Sequence, residues 1–534
     1  MSHDHSGPSR RSFLKLLGVN TGLALYQSPV QLLIESIVMG AQRTAWAAST
    51  GVSARRYLHI IQEGAPPRWT FDLALTPYSS SGFVASAGLG TAYNFSSSGA
   101  SLNYATIPKF GVNVPAAWGY TVASAAGGMR SLDPLLSSML QIRGIYTGNP
   151  DHIASQALQF DSAGTYQSLT ALSADASDNP IPAINVGASS FRFFSSKGKS
   201  AIIIPNNGNL LSSLLSPFTS TSSGTFVTNR NKIGGALDAA ISALNTASEA
   251  NHTGADQMSK ASSSAKDLLS TGFGNLTTTW NTLLAKYTSL ISRTVDPTRS
   301  LAGINDSAIV PDGTTKFQTN STLPTITDIR SMITSSVSVV NLANHFAMAE
   351  YVLVNNLSSS VSIAPERVVN LAFNGGTTNV TADEHFVGGS VSTIVNTYLN
   401  LSYAACLLEL IDQLKAKNIW SETVISIAGE FGRTPRKDGS GSDHGYTGSS
   451  GAIYSGAITS PLVLGNILNN AGGYGTWGNA APVTQLGRTL NLNDWVSTIA
   501  YLLRTASPST AATSLVVSNP NGGYDPIIEK ARQI

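Results

Sequence analysis

A helix-length apolar run that passes directly into a β-branched run constrains this chain more than any other feature. Residues 400–422, NLSYAACLLELIDQLKAKNIWSE, place apolar side chains at helical spacing and close with Lys415 and Lys417, where the helix dipole favours cations. Residues 423–432, TVISIAGEFG, follow at once as a buried strand ending in glycine. Helix, short connection and strand make one α/β unit, and sheets of that kind bind ligands beyond the carboxyl ends of their strands. RYLHIIQ (56–62), IPAINVG (181–187), SAIIIP (200–205) and SPLVLGN (460–466) read as further short strands, and IRGIY as another. The tract from about 206 to 345 differs, with stretches such as GGALDAAISALNTASEA between Ser/Ala-rich turns, and is expected to be a helical insertion covering one side of the sheet. No solenoid-length repeat interrupts this plan. The expectation is one large domain over 48–534, preceded by a separate signal region over 1–47.

That signal region has its own pattern. Ser9-Arg10-Arg11-Ser12-Phe13-Leu14-Lys15 is a twin-arginine signature, followed by the apolar LLGVNTGLAL and, later, by Ala45-Trp46-Ala47 as a cleavage site. The expected destination is the periplasm or the exterior. Proteins on that route cross the membrane folded, often with a cofactor loaded, which favours a metal site. No later stretch is long and apolar enough to span a bilayer, so no transmembrane span is expected after export. Charged residues make up only 12% of the chain and the formal net charge is +2, an excess that sits before position 48. Nucleic acid is therefore excluded as a partner, since it demands basic stripes. The lone Cys406, in an apolar helical pattern, is expected to be a buried small hydrophobe.

Against this low charge, GEFGRTPRKDGSGSDHGYTG (429–448) gathers Glu430, Arg433, Arg436, Lys437, Asp438, Asp443 and His444 in one glycine-rich loop at a strand end. Carboxylates and imidazoles are the oxygen and nitrogen ligands that divalent metals accept, so Glu430, Asp443 and His444 are candidates. TADEHFVGG (381–389), just before the long helix, adds Asp383, Glu384 and His385, giving up to five ligands for one or two ions. Zn or Mn suits such a set better than Ca or Mg. The alternative is structural: Glu430 paired with Arg433 or Arg436, His444 capping a turn, and Asp383 and Glu384 as helix-starting acids. Among the other histidines, His59 is expected inside a core strand, His345 on a helix packed against the sheet, and His152 beside Asp151 in a loop after IRGIY.

The order of twin-arginine signal, apolar strand, Asp-His loop, long helix, GEFGRTPR and DHG resembles a bacterial family of exported sulfatase-like proteins, the domain of unknown function 1501, related to the alkaline phosphatase superfamily. The likeness is strongest over 374–460. It implies a doubly wound, mostly parallel α/β sheet with helices on both faces and a metal site turned toward phosphate or sulfate esters. Under it, Asp383 and His385 match an Asp-Thr-His segment with Glu384 in the middle, while Glu430, Asp443 and His444 match later ligand positions. Arg433 would grip an anionic ester, small molecule or polymer, through its planar fork. The chain departs from the family where a Gly-Gly-Pro-Ser-His pattern is replaced by Glu63-Gly64-Ala65-Pro66-Pro67, followed by Arg68 and Trp69. The nearest hydroxyls to the expected nucleophile position are Ser155 and Thr147, with Ser155 or water as the attacking group. Two functions follow: a metal-dependent hydrolase, or an inactive scaffold serving as a binding or assembly component of the cell envelope with a protein partner.

Overall fold

A computed structural model describes residues 54–66, 106–204, 273–296 and 333–531, apart from short stretches within them. The signal region, most of the expected insertion, the loop from Pro67 to Asp72, Glu384 and Arg436 lie outside the described residues. The frame is a nine-stranded sheet: β1 (Arg56–Gln62), β2 (Met139–Tyr146), β3 (Ala183–Val186), β4 (Ala201–Ile204), β5 (Ser360–Ile363), β6 (Thr423–Gly429), β7 (Ser449–Ser455), β8 (Leu462–Leu464) and β9 (Leu490–Asn491). Spatially the order is β8-β2-β7-β6-β1-β5-β3-β4, with β9 also beside β2. β1 pairs in parallel with both β6 and β5, and only β7 runs against its neighbours. The sheet is thus mostly parallel, as expected. β5 and β7 were not foreseen, because SVSI and SSGAIYS are too serine-rich to stand out as buried runs.

Helices α1 (His152–Asp161), α2 (Leu169–Asp175), α3 (Phe273–Thr294), α4 (Val337–Val354), α5 (Gly389–Ala416) and α6 (Leu492–Leu502) complete the core. Alternating side chains divide between two apolar clusters, as the two-residue period of a strand requires. Leu58, Ile60, Ile425 and Tyr454 join α3, α4 and α5, whereas Tyr57, Val424 and Ile453 join α2 and α6. Each fully buried Leu or Ile contributes about 1.5–3 kcal/mol, so these two faces outweigh any loop contact. The helix read over 400–422 begins at Gly389 and ends at Ala416, with Trp420–Glu422 a 3-10 turn. It is buried on all sides from Val395 to Ile411, because α3 and α4 cover what the sheet does not. Lys286 fastens these helices from within, its Nζ bonding to Glu350 (2.6 and 2.8 Å) and meeting Glu409 at 3.0 Å. Cys406 is fully buried on α5, and burial pushes its thiol pKa up.

His59 and His345 are the interior histidines expected. His59 Nδ1 lies 2.7 Å from Ser426 Oγ, and His345 Nδ1 lies 2.8 Å from the Asn341 carbonyl, to which it donates. Burial lowers the pKa of His59 to about 3 and that of His345 to about 4. Both are neutral in the folded chain and protonate near pH 6.5 once unfolded. Their contribution is complete above that value and is lost as pH falls toward 4 and then 3. Between pH 7 and pH 5 the parent chain is expected to lose roughly 2 kcal/mol more stability than His345→Asn, measured by urea unfolding. Equal losses would show that His345 does not titrate in this way.

Candidate metal centre

The carboxyl ends of β1, β2 and β6 face the same edge of the sheet, and the segments that leave them build the site. After β2, the chain turns at Thr147–Asn149 and enters α1. Asp151 caps that helix, its Oδ1 accepting from Ala154 N at 2.8 Å, which puts His152 at the helix start. Following β6, Glu430 and Phe431 lead into a hairpin in which Gly432–Pro435 pairs antiparallel with Ser442–Gly445. Arg433 stands opposite His444 in that hairpin.

Around Asp383 the imidazoles converge. Asp383 Oδ1 lies 3.1 Å from His385 Nε2 and 3.5 Å from His444 Nε2, and Oδ2 lies 3.5 Å from His152 Nε2. His385 Nε2 and His444 Nε2 are 2.9 Å apart, a contact that needs a proton on one ring or a cation near both. Ligand atoms of His152, Asp383 and His444 all lie within 4.8 Å of one another. Metal–ligand bonds of about 2.0–2.2 Å place neighbouring ligand atoms of one shell roughly 3–3.5 Å apart, which is the spacing seen around Asp383. His152 Nε2 is buried and faces Asp383 Oδ2 at 3.5 Å, so a proton or a cation on Nε2 would each meet that carboxylate. His152, Asp383 and His444 thus form one group that could hold a metal ion.

Glu430 lies behind the donors rather than among them. It is 1% exposed, accepts from His152 Nδ1, and takes a second hydrogen bond from Gln156 Nε2 at 2.6 Å. A carboxylate on Nδ1 fixes the tautomer that turns Nε2 toward a metal. Hydrogen bonds to Asp383 and Glu430 raise the His152 pKa to about 9, so a proton balances the two carboxylates when no cation does. Burial would raise the Asp383 pKa, but His152 and Arg433 outweigh it and hold the carboxyl well below its usual range. Glu63, at the end of β1, is pushed up to about 7 by burial and by the charges of Glu430 and Glu366. Glu430→Gln is expected to weaken metal binding by about 10- to 100-fold, read by chelator competition, with the fold retained. An unchanged affinity would remove Glu430 from this role.

The other candidates fall elsewhere. Asp443 is exposed and outside the His/Asp group, because neighbours in an extended strand point to opposite faces, and His444 takes the inner one. Ser155 is fully buried, and its Oγ donates to the Asn149 carbonyl at 2.8 Å, closing the turn before α1. Arg433 is 1% exposed, with Nε on the Ala65 carbonyl (2.5 Å) and Nη2 on the Gly64 carbonyl (2.7 Å) and on Asp383. It ties the β1 loop to a metal-ligand candidate, where an anion-gripping role was expected. His152 is the member of this group that sequence reasoning left unassigned, although its place after a strand end marked it by the rule that selected Glu430.

A family model described as a protein of unknown function (DUF1501) matches residues 399–491, which run from within α5 to the end of β9 and include Glu430, Arg433, Asp443 and His444. A DUF1501 domain is therefore present in the chain. No curated protein and no solved structure matches it. Among the described residues, no helix is long and apolar enough to cross a membrane.

Proposed function

We propose that this protein is an exported, metal-dependent hydrolase of phosphate or sulfate esters, with a sulfatase-like α/β fold and a twin-arginine signal in its first 47 residues. The observation that carries the reading is the convergence of His152, Asp383 and His444, with His385 at their edge, beyond the carboxyl ends of a mostly parallel sheet. A divalent cation held there supplies Lewis acidity to an ester oxygen and to an attacking water. Glu430 keeps His152 oriented, Arg433 keeps Asp383 in place, and Glu63 is a group able to exchange a proton near neutral pH. Since the Ser155 hydroxyl is committed to a carbonyl, water is the nucleophile in this reading.

That same burial of Ser155 favours a second reading, an inactive scaffold that binds a partner in the cell envelope. One experiment separates the two. The purified chain is analysed for bound metal and assayed with generic aryl phosphates and sulfates beside His444→Ala. Near-stoichiometric metal, with turnover lost in the variant, is the expected result. Bound metal with no turnover supports the scaffold, and a metal-free, inert chain removes the hydrolase.

A further inference from the structure

A second site lies at the other end of β1. A cavity of about 450 Å³ opens where the residue before β1 meets the residues after α6, lined by Arg55, Tyr501, Arg504, Thr505, Ser518 and Tyr524. Eight residues at about 3.3 Å each separate Arg55 from Glu63, so the cavity is roughly 25 Å from the metal centre.

Arg55 is 5% exposed, yet it meets no carboxylate among the described residues. Its Nε donates to the Ser421 carbonyl at 3.0 Å, and its Nη1 donates to the Leu502 carbonyl at 2.8 Å and to Tyr524 Oη at 2.6 Å. The guanidinium carbon sits 5.9 Å from the centre of the Tyr524 ring. Those partners hold the guanidinium in place but are neutral, and Nη2 makes no hydrogen bond among the described residues. A buried cation without a counter-charge is costly, and an anion in the adjoining cavity would remove that cost. Arg504 adds a second guanidinium that Glu422 neutralises, at 2.8 and 3.4 Å. Among the described residues, the cavity therefore keeps one positive charge without a carboxylate partner. Tyr501 Oη accepts from Ser518 N at 3.0 Å and lies 3.2 Å from Ser518 Oγ, which fixes hydroxyl groups on its wall.

We propose that this cavity binds a small oxyanion, with the Nη2 edge of Arg55 as its charge partner. The site is independent of the metal centre, so the test uses the full chain carrying His444→Ala and reads inorganic phosphate binding by titration calorimetry. One saturable site is expected, weakened at least tenfold by Arg55→Gln. Because Arg55 also joins Ser421 and Leu502, Thr505→Trp supplies a second variant that fills the cavity and leaves those bonds intact. It is expected to abolish binding while circular dichroism shows the parent fold. Competition by sulfate but not acetate identifies a tetrahedral anion, and equal competition by acetate identifies a carboxylate. Failure of phosphate, sulfate and acetate alike to bind, or binding unchanged in both variants, overturns the proposal.

Discussion

Asp383→Ala is expected to lower divalent-metal affinity by at least about a hundredfold. Among the described residues, Asp383 supplies the one carboxylate that approaches His152, His385 and His444 together, so its removal takes the negative charge from the group and leaves neutral imidazoles. The same substitution takes a partner from the buried Arg433, and a general loss of structure could imitate a loss of ligand. Asp383→Asn separates these effects, since its amide oxygen still accepts from Arg433 while the negative charge is gone. Both variants are expected to lose metal in chelator competition, with the asparagine form closer to the parent in thermal stability. Metal affinity within threefold of the parent in either variant would place the ion elsewhere.

Arg433→Ala is expected to cost about 3 kcal/mol of unfolding free energy. Arg433 is enclosed, and its loss leaves the Gly64 and Ala65 carbonyls without their donor. Those two residues form a left-handed turn, with φ of 81° at Gly64 and 45° at Ala65, a conformation that a side-chain-bearing residue adopts only under restraint. Asp383 is 40% exposed, so the screened loss of its ion pair contributes less than the two carbonyls. Arg433→Lys is not expected to rescue the defect, because an ammonium cannot reach three oxygens with the geometry of a planar fork. Urea unfolding checks this, and a loss below 1 kcal/mol in Arg433→Ala would mean that the turn holds without its clamp.

Much of the frame was legible in the sequence because its strands are short β-branched runs bounded by glycine and its long helix keeps an apolar period. Arg56–Gln62 is found as read, and Thr423–Gly429 follows the helix as the α/β pattern requires. The hairpin between Gly432 and Gly445 was not legible, since glycine, proline and charge conceal its alternation, and that alternation separates Asp443 from His444. Contacts across hundreds of residues were equally hidden. Nothing local links His152 to Glu430, 278 positions away, or Arg433 to Gly64, 369 positions away; the parallel neighbours β1 and β6 create the second contact. Chemical type marked Asp383, His385 and His444 as ligand candidates, whereas only tertiary structure placed Glu430 and Arg433 behind them.

A cation held at Asp383 is what would make these residues a functional site. Anomalous X-ray scattering from crystals of the full chain equilibrated with Zn or Mn tests it most directly. A peak about 2.0–2.2 Å from His152 Nε2, His444 Nε2 and an Asp383 oxygen is the predicted result. Metal-saturated crystals with no peak there, and with His385 and His444 still 2.9 Å apart, would contradict it.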